Sequence, residues 1–178
     1  MIAMDAVMPC GSRFVVALVF AALAPGCRGE HVVGARTADC PGLENAGYIT
    51  VADGRVLIGK AGVYDRSCPG TGPAPGKGVS GCVEQHFYVF PLVPATWSAP
   101  EPIPAWLTCR GDVPDLASCA AQVSAYGGAL GGKVADRVGD GSRLGGAVSG
   151  WERAVADSVG RHGLVSSSRG PVLWLGLW

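Results

Sequence analysis

Glu84 and His86 are the residues of this sequence whose types and spacing best suit acid/base or metal chemistry. They lie in Cys82–Phe90, CVEQHFYVF, a run of aromatic and β-branched residues that reads as a strand. Alternation puts Cys82, Glu84, His86, Tyr88 and Phe90 on one face and Val83, Gln85, Phe87 and Val89 on the other. A carboxylate and an imidazole two residues apart then point the same way, as general acid/base work or half of a two-ligand metal site requires. Either use needs further groups. The other two histidines, His31 and His162, lie far away along the chain, so the default expectation for the pair is a solvated or edge-strand position.

Seven cysteines offer a second chemistry. That number suits an oxidising compartment better than a reduced cytosol. None are spaced Cys-x-x-Cys, and the spacings match neither zinc-finger nor redox patterns. Cys68 and Cys82 flank thirteen residues of which eight are Gly or Pro, so a bridge between them would close a surface loop and stabilise the fold by about 3 kcal/mol. Cys109 and Cys119 are the other expected pair, stapling a helix start to the segment before it. Cys40 is a further disulfide candidate, and the connectivity stays open. Gly76-Lys77 invites a phosphate-loop reading, which fails: the motif needs Gly at 71 and Ser or Thr at 78, where the chain has Thr71 and Gly78.

Lys plus Arg and Asp plus Glu number 14 each, so no net field draws the chain to nucleic acid, and no nucleic-acid partner is expected. No nucleophile elbow, dinucleotide fingerprint or zinc signature occurs; no cofactor is expected, and a binding or structural role is preferred to catalysis, which the motifs leave open. Trp97 and Trp106 flank Pro100-Glu101-Pro102-Ile103-Pro104, inside a proline-rich stretch, 91–108, that reads as an extended connector. The two indoles are candidates for a partner-docking surface, with packing onto a sheet as the alternative.

The elements that must position these residues read as follows. Tyr48–Ala52 and Arg55–Ile58 are β-branched runs joined by Asp53-Gly54, the pattern of a two-residue type I′ hairpin. Ala61–Arg66 adds a strand, which with 82–90 makes the β-rich part 46–90. A helix follows, with Asp112 as N-cap, Pro114 in its first turn and Leu116, Cys119, Ala120, Val123 and Tyr126 at helical spacing. Helical structure is expected over 109–160. In the tail 161–178, PVLWLGLW can add one strand to the sheet or mediate association. The fold class expected is α+β: a small antiparallel β-meander followed by two or three helices, stapled by disulfides.

Arg13 to Cys27, RFVVALVFAALAPGC, has the basic residue, the short apolar run and the small-residue site of a secretory signal peptide. Ala22-Leu23-Ala24 fits an ordinary signal-peptidase site. Ala24-Pro25-Gly26-Cys27 resembles the lipobox of bacterial lipoproteins, although Leu23 stands four places before the cysteine where that family usually has Leu at three. The resemblance implies removal of residues 1–26, a lipid on Cys27 and membrane anchoring through it, with 27–45 as a polar tether. Lipidation would leave five downstream thiols for pairing, and simple secretion six.

The segment 127–150, GGALGGKVADRVGDGSRLGGAVSG, resembles the glycine-zipper hairpin of small envelope lipoproteins. Gly128 and Gly132 would line one helix, and Gly146 and Gly150 the other; Leu144, Val148, Trp151, Val155 and Val159 form a separate stripe. Lys133, Asp136, Arg137 and Asp140 depart from that family's apolar first helix.

The function expected is that of an exported cell-envelope or secreted protein of binding or structural type, lipid-anchored or free. Two alternatives stand beside it. One is a small secreted metal-dependent or acid/base hydrolase using Glu84 and His86. The other is a poorly folded product of a GC-rich reading frame, suggested by 28 glycines and only 16% charged residues.

Overall fold

The structure is a computed structural model that describes residues 29–66, 85–109, 113–139 and 148–176. Among them, eight strands form: β1 (Glu30–Ala35), β2 (Ala46–Val51), β3 (Gly54–Val56), β4 (Gly62–Arg66), β5 (Gln85–Pro94), β6 (Ala105–Thr108), β7 (Gly131–Arg137) and β8 (Pro171–Trp174). Two α-helices, α1 (Leu116–Ala125) and α2 (Gly150–His162), join them, with 3-10 turns at Thr37–Gly42 and Ile58–Lys60.

Strand β5 explains the architecture. Its residues from 88 to 93 are buried without interruption, so it needs a neighbour along each edge and a layer on each face. One edge pairs antiparallel with β6, Phe90 opposite Leu107. The other edge is shared by β3, beside Leu92–Pro94, and β4, beside Gln85–Val89. The full order is β1-β2-β7-β8-β6-β5-β3, with β4 on β5, and the sheet curls as a half-barrel. Strands β1 and β2 run parallel, as do β6 and β8, while the other pairs are antiparallel.

Alternation along β5 sends Tyr88, Phe90 and Leu92 into one apolar cluster with Ile49, Leu107, Cys119, Val123 and Leu173. It sends Val89 and Val93 into a second, with Trp106, Ala154, Val155 and Val172. Helix α1 serves the first cluster and α2 the second. Asp115 caps α1, accepting from the Ser118 amide at 2.7 Å. Ser149 caps α2, accepting from the Glu152 amide, and Gly163 ends that helix in the left-handed conformation at φ 62°.

Several expectations are corrected. The fold is not a small antiparallel meander followed by helices but a mixed eight-stranded sheet. Asp53-Gly54 does not close a hairpin, because β2 pairs with β1 and β7 while β3 pairs with β5. Gly54 lacks the positive φ of a type I′ turn. It is required instead for close approach: a Cβ there would stand 2.6 Å from Val51 Cγ2 and 2.9 Å from Leu92 Cδ1. The Asp53 carboxylate accepts from the Thr37 amide and hydroxyl, both at 2.7 Å.

The segment 27–45 is not a tether from Glu30 onward, since it forms β1 and a 3-10 turn. The stretch 91–108 is no connector: it contains the end of β5 and the whole of β6. Asp112 lies outside the described residues, and the α1 cap is Asp115 three places on.

The first helix expected in 127–150 is strand β7. Cβ atoms on Gly131 and Gly132 would stand 2.2 Å from the Ile49 oxygen and 1.8 Å from the Trp174 oxygen. These glycines therefore let β7 fit between β2 and β8, and do not line a helix pair. Within the expected stripe, Trp151, Val155 and Val159 do face the second cluster from α2, whereas Val148 precedes the helix and is exposed. The tail strand is present as β8, between β6 and β7.

Candidate functional site

The antiparallel β4–β5 ladder sets Asp65 directly opposite His86. The His86 Nδ1 and the Asp65 Oδ1 are 2.7 Å apart, and the imidazole stacks on the Tyr88 ring at 6.2 Å with 4° between the planes. The Tyr88 hydroxyl donates to the Pro114 oxygen at 3.4 Å. A carboxylate at Nδ1 orients an imidazole and leaves Nε2 as a base, the arrangement that general-base catalysis uses. Here, however, the His86 and Asp65 side chains are 39% and 60% exposed, so water and salt screen the pair and it is worth about 0–1 kcal/mol.

Glu84, the carboxylate proposed from sequence, lies outside the described residues. Asp65 could not be found by alternation within one strand, because it reaches His86 only through the register of β4 on β5. Among the described residues, no three His, Cys, Asp or Glu side chains gather at metal-binding distance.

The two tryptophans considered for partner docking are core residues. Trp106 is fully buried in β6, and its indole N–H donates to the Ser166 hydroxyl at 3.2 Å. Trp97 is 9% exposed; its indole N–H donates to the Glu101 oxygen at 2.9 Å, and its own carbonyl accepts from Arg55 Nη2 at 3.0 Å. Neither presents a ring face, because both lie in the second apolar cluster, with Val89, Val93 and Val172 from the sheet and Val155 from α2. A different set of rings packs α2 onto the sheet. Tyr64, Phe87, Trp151 and Trp174 follow one another at 6.0, 4.8 and 5.3 Å, the last two contacts edge to face. The Arg153 guanidinium lies 5.0 Å above the Tyr64 ring.

Of the disulfide candidates, Cys109 and Cys119 are bonded, with Cα atoms 5.2 Å apart. Cys27, Cys68 and Cys82 lie outside the described residues. Cys40 is a buried free thiol. Burial, reinforced by the Asp39 and Asp53 charges, pushes it up to about 12 from 9.0. Burial likewise raises the Tyr48 and Tyr88 hydroxyls above their ordinary value.

All three groups favour the neutral native form, and this sets the direction of a pH effect. The unfolded chain releases the Cys40 proton first, so this thiol's contribution to stability is full below pH 9.0 and is lost as pH rises toward about 12. Unfolding midpoints measured across that window should fall for the wild type and fall less steeply for Cys40→Ala. Parallel curves would refute the assignment.

No family model, curated protein or solved structure matches this chain.

Proposed function

We propose that this protein is an exported, disulfide-stapled domain of binding or structural type, anchored to a membrane of the cell envelope through a lipid on Cys27. The observation that supports export is the Cys109–Cys119 disulfide, a bond that persists in oxidising compartments; it is shared with simple secretion, and the anchor is inferred from the lipobox-like Ala24-Pro25-Gly26-Cys27 alone. The disulfide stands with the signal-like stretch Arg13 to Cys27. No helix among the described residues is long and apolar enough to cross a membrane, and the reading assigns attachment to the lipid.

Intact mass of the mature protein, with and without reduction, is the test. A chain beginning at an acylated Cys27, and gaining two hydrogens at the Cys109–Cys119 pair on reduction, is the expected result. A mature chain beginning at Pro25 without acyl mass would sink the anchor and leave simple secretion. Reduced thiols at Cys109 and Cys119 in freshly isolated protein would sink export itself.

One observation, the Asp65 carboxylate on His86, favours a second reading as an acid/base hydrolase. His86→Ala separates the two. Because the pair is exposed, the variant should keep the wild-type unfolding free energy within about 1 kcal/mol. Under the binding or structural reading it should also leave any hydrolysis of ester or glycoside test substrates at the background level of the wild type. Hydrolysis by the wild type that vanishes in the variant would favour the enzyme.

A further inference from the structure

We infer that α2 serves as an edge guard: it occupies the outer edge of β4, where a neighbouring strand would otherwise pair, and so keeps that edge from joining the same edge of a second copy of this chain. The inference goes beyond the proposed function and holds for an anchored or a free domain alike.

The β4–β5 ladder shows which backbone groups the helix covers. It runs from Gly62 opposite Val89 to Arg66 opposite Gln85 without a register shift. In an antiparallel pair, successive residues turn their amide and carbonyl alternately toward the partner strand and away from it. The Val63 amide donates to the Asp157 carboxylate of α2 at 2.9 Å. Val63 therefore faces away from β5, and Tyr64 faces it.

Helix α2 meets this outer edge with side chains at spacings of three and four, which share one face. Beside Asp157, the buried Ser158 hydroxyl donates to the Lys60 oxygen at 2.6 Å. His162 Nε2 lies 3.3 Å from the Ala61 oxygen, and Arg161 Nη2 holds the Asp157 carboxylate at 2.5 Å. Arg153 donates to the Tyr64 hydroxyl at 3.1 Å. Gly62 admits the helix, since a Cβ there would stand 1.9 Å from the Ala154 oxygen and 2.8 Å from Ser158 Cβ.

The occupant being excluded follows from the other strand edges. A regular open edge is a template for the same strand of another chain, and proteins blunt it by shortness, by bulges or by a covering element. β3 is 3 residues long, and β1 breaks its register at Glu30/His31 and again at Val32/Ala35. β4 is regular and 5 residues long, so it needs the cover that α2 supplies. Two such edges are self-complementary across a two-fold axis.

Gly62→Ala in the full chain lifts α2 from β4 and leaves every polar group of the edge in place. Light scattering after size exclusion should read a monomer for the wild type and a dimer or larger species, growing with concentration, for the variant. Adding Val63→Pro should restore the monomer, because proline removes an outward donor that the ladder to β5 does not use. A folded Gly62→Ala chain that stays monomeric, association that Val63→Pro leaves unchanged, or a wild type already paired through residues 62–66 would overturn the inference. Asp157→Ala/Ser158→Ala tests the guard without added bulk: the Val63 amide should exchange at least about tenfold faster while Tyr64 keeps its protection. Unchanged exchange at Val63 would overturn the guard as well.

Discussion

Trp106→Ala is expected to lower stability by about 3–5 kcal/mol, the cost of deleting a fully buried large aromatic side chain. Trp106 is 0% exposed. It sits in the cluster with Val89, Val93, Ile103, Val155 and Val172, so its neighbours come from β5, α2 and β8 as well as from the loop before β6. Backbone pairing holds those neighbours in place: Trp106 is opposite Pro91 on one side and Val172 on the other. The site therefore cannot collapse, and most of the cavity remains. The Ser166 hydroxyl also loses its indole donor.

Domains of this size are stable by about 5–15 kcal/mol in total, so the loss removes a large share. Urea unfolding of wild type and variant measures it. A shift below about 1 kcal/mol would mean that Trp106 is not a core residue and would return it to the docking surface suggested by the sequence. The same experiment asks whether the wild type unfolds cooperatively at all, which a poorly folded chain would not do.

Replacing both Cys109 and Cys119 by serine is expected to cost about 2–4 kcal/mol. The bonded residues are 10 apart, a short loop, but the helix they hold has few other anchors. Within α1 only Cys119 and Val123 are buried, and the helix is 10 residues long, a length that is marginal in isolation. Without the bond, α1 depends on Val123, on partly buried Leu116 and Ala120, and on the Asp115 cap.

Loss of α1 would uncover Tyr88 and Leu175, which lie in the same cluster as Cys119. Amide exchange should therefore accelerate in α1 before it does in β5 or β6. Reduction of the wild type should reproduce the variant. Equal stability of oxidised and reduced protein, with unchanged exchange in α1, would contradict this role for the bond.

The features legible in the sequence are those set by short-range pattern. The aromatic and β-branched run before Pro91 forms β5, and PVLWLGLW contributes β8, because alternating apolar side chains suit a pleated surface whichever strands lie beside it. Cys109 and Cys119 pair because one short loop brings them together. Helix α1 lies where its apolar spacing put it, with only the capping aspartate moved. A local signal was also present for the start of α2: Ser149 and Glu152 have capping-box spacing, and Gly163 follows as the stop.

What was not legible depends on partners remote in sequence. β1 carries exposed residues at most of its positions and looks like linker, because an edge strand has only one neighbour to satisfy. β7 resembled a glycine-rich helix, since four-residue glycine spacing says nothing about which backbone approaches each glycine. Asp53-Gly54 has hairpin chemistry, but the strands it joins gain more burial elsewhere: β2 between β1 and β7, and β3 beside β5.

The chemistry-bearing residues divide along the same line. The sequence by itself placed His86 on a strand, marked a signal-like stretch ending at Cys27 and offered Cys109 and Cys119 as one expected pair, with the connectivity open; the structure bonds them. Only the tertiary structure decided that the carboxylate on His86 is Asp65, that Trp97 and Trp106 are interior, and that Glu30–Ala35 is a strand of the sheet. The physical reason is that alternation and helical spacing specify which way a side chain points. What it meets is set by sheet pairing between segments far apart in the chain, chosen by the combined burial of all eight strands.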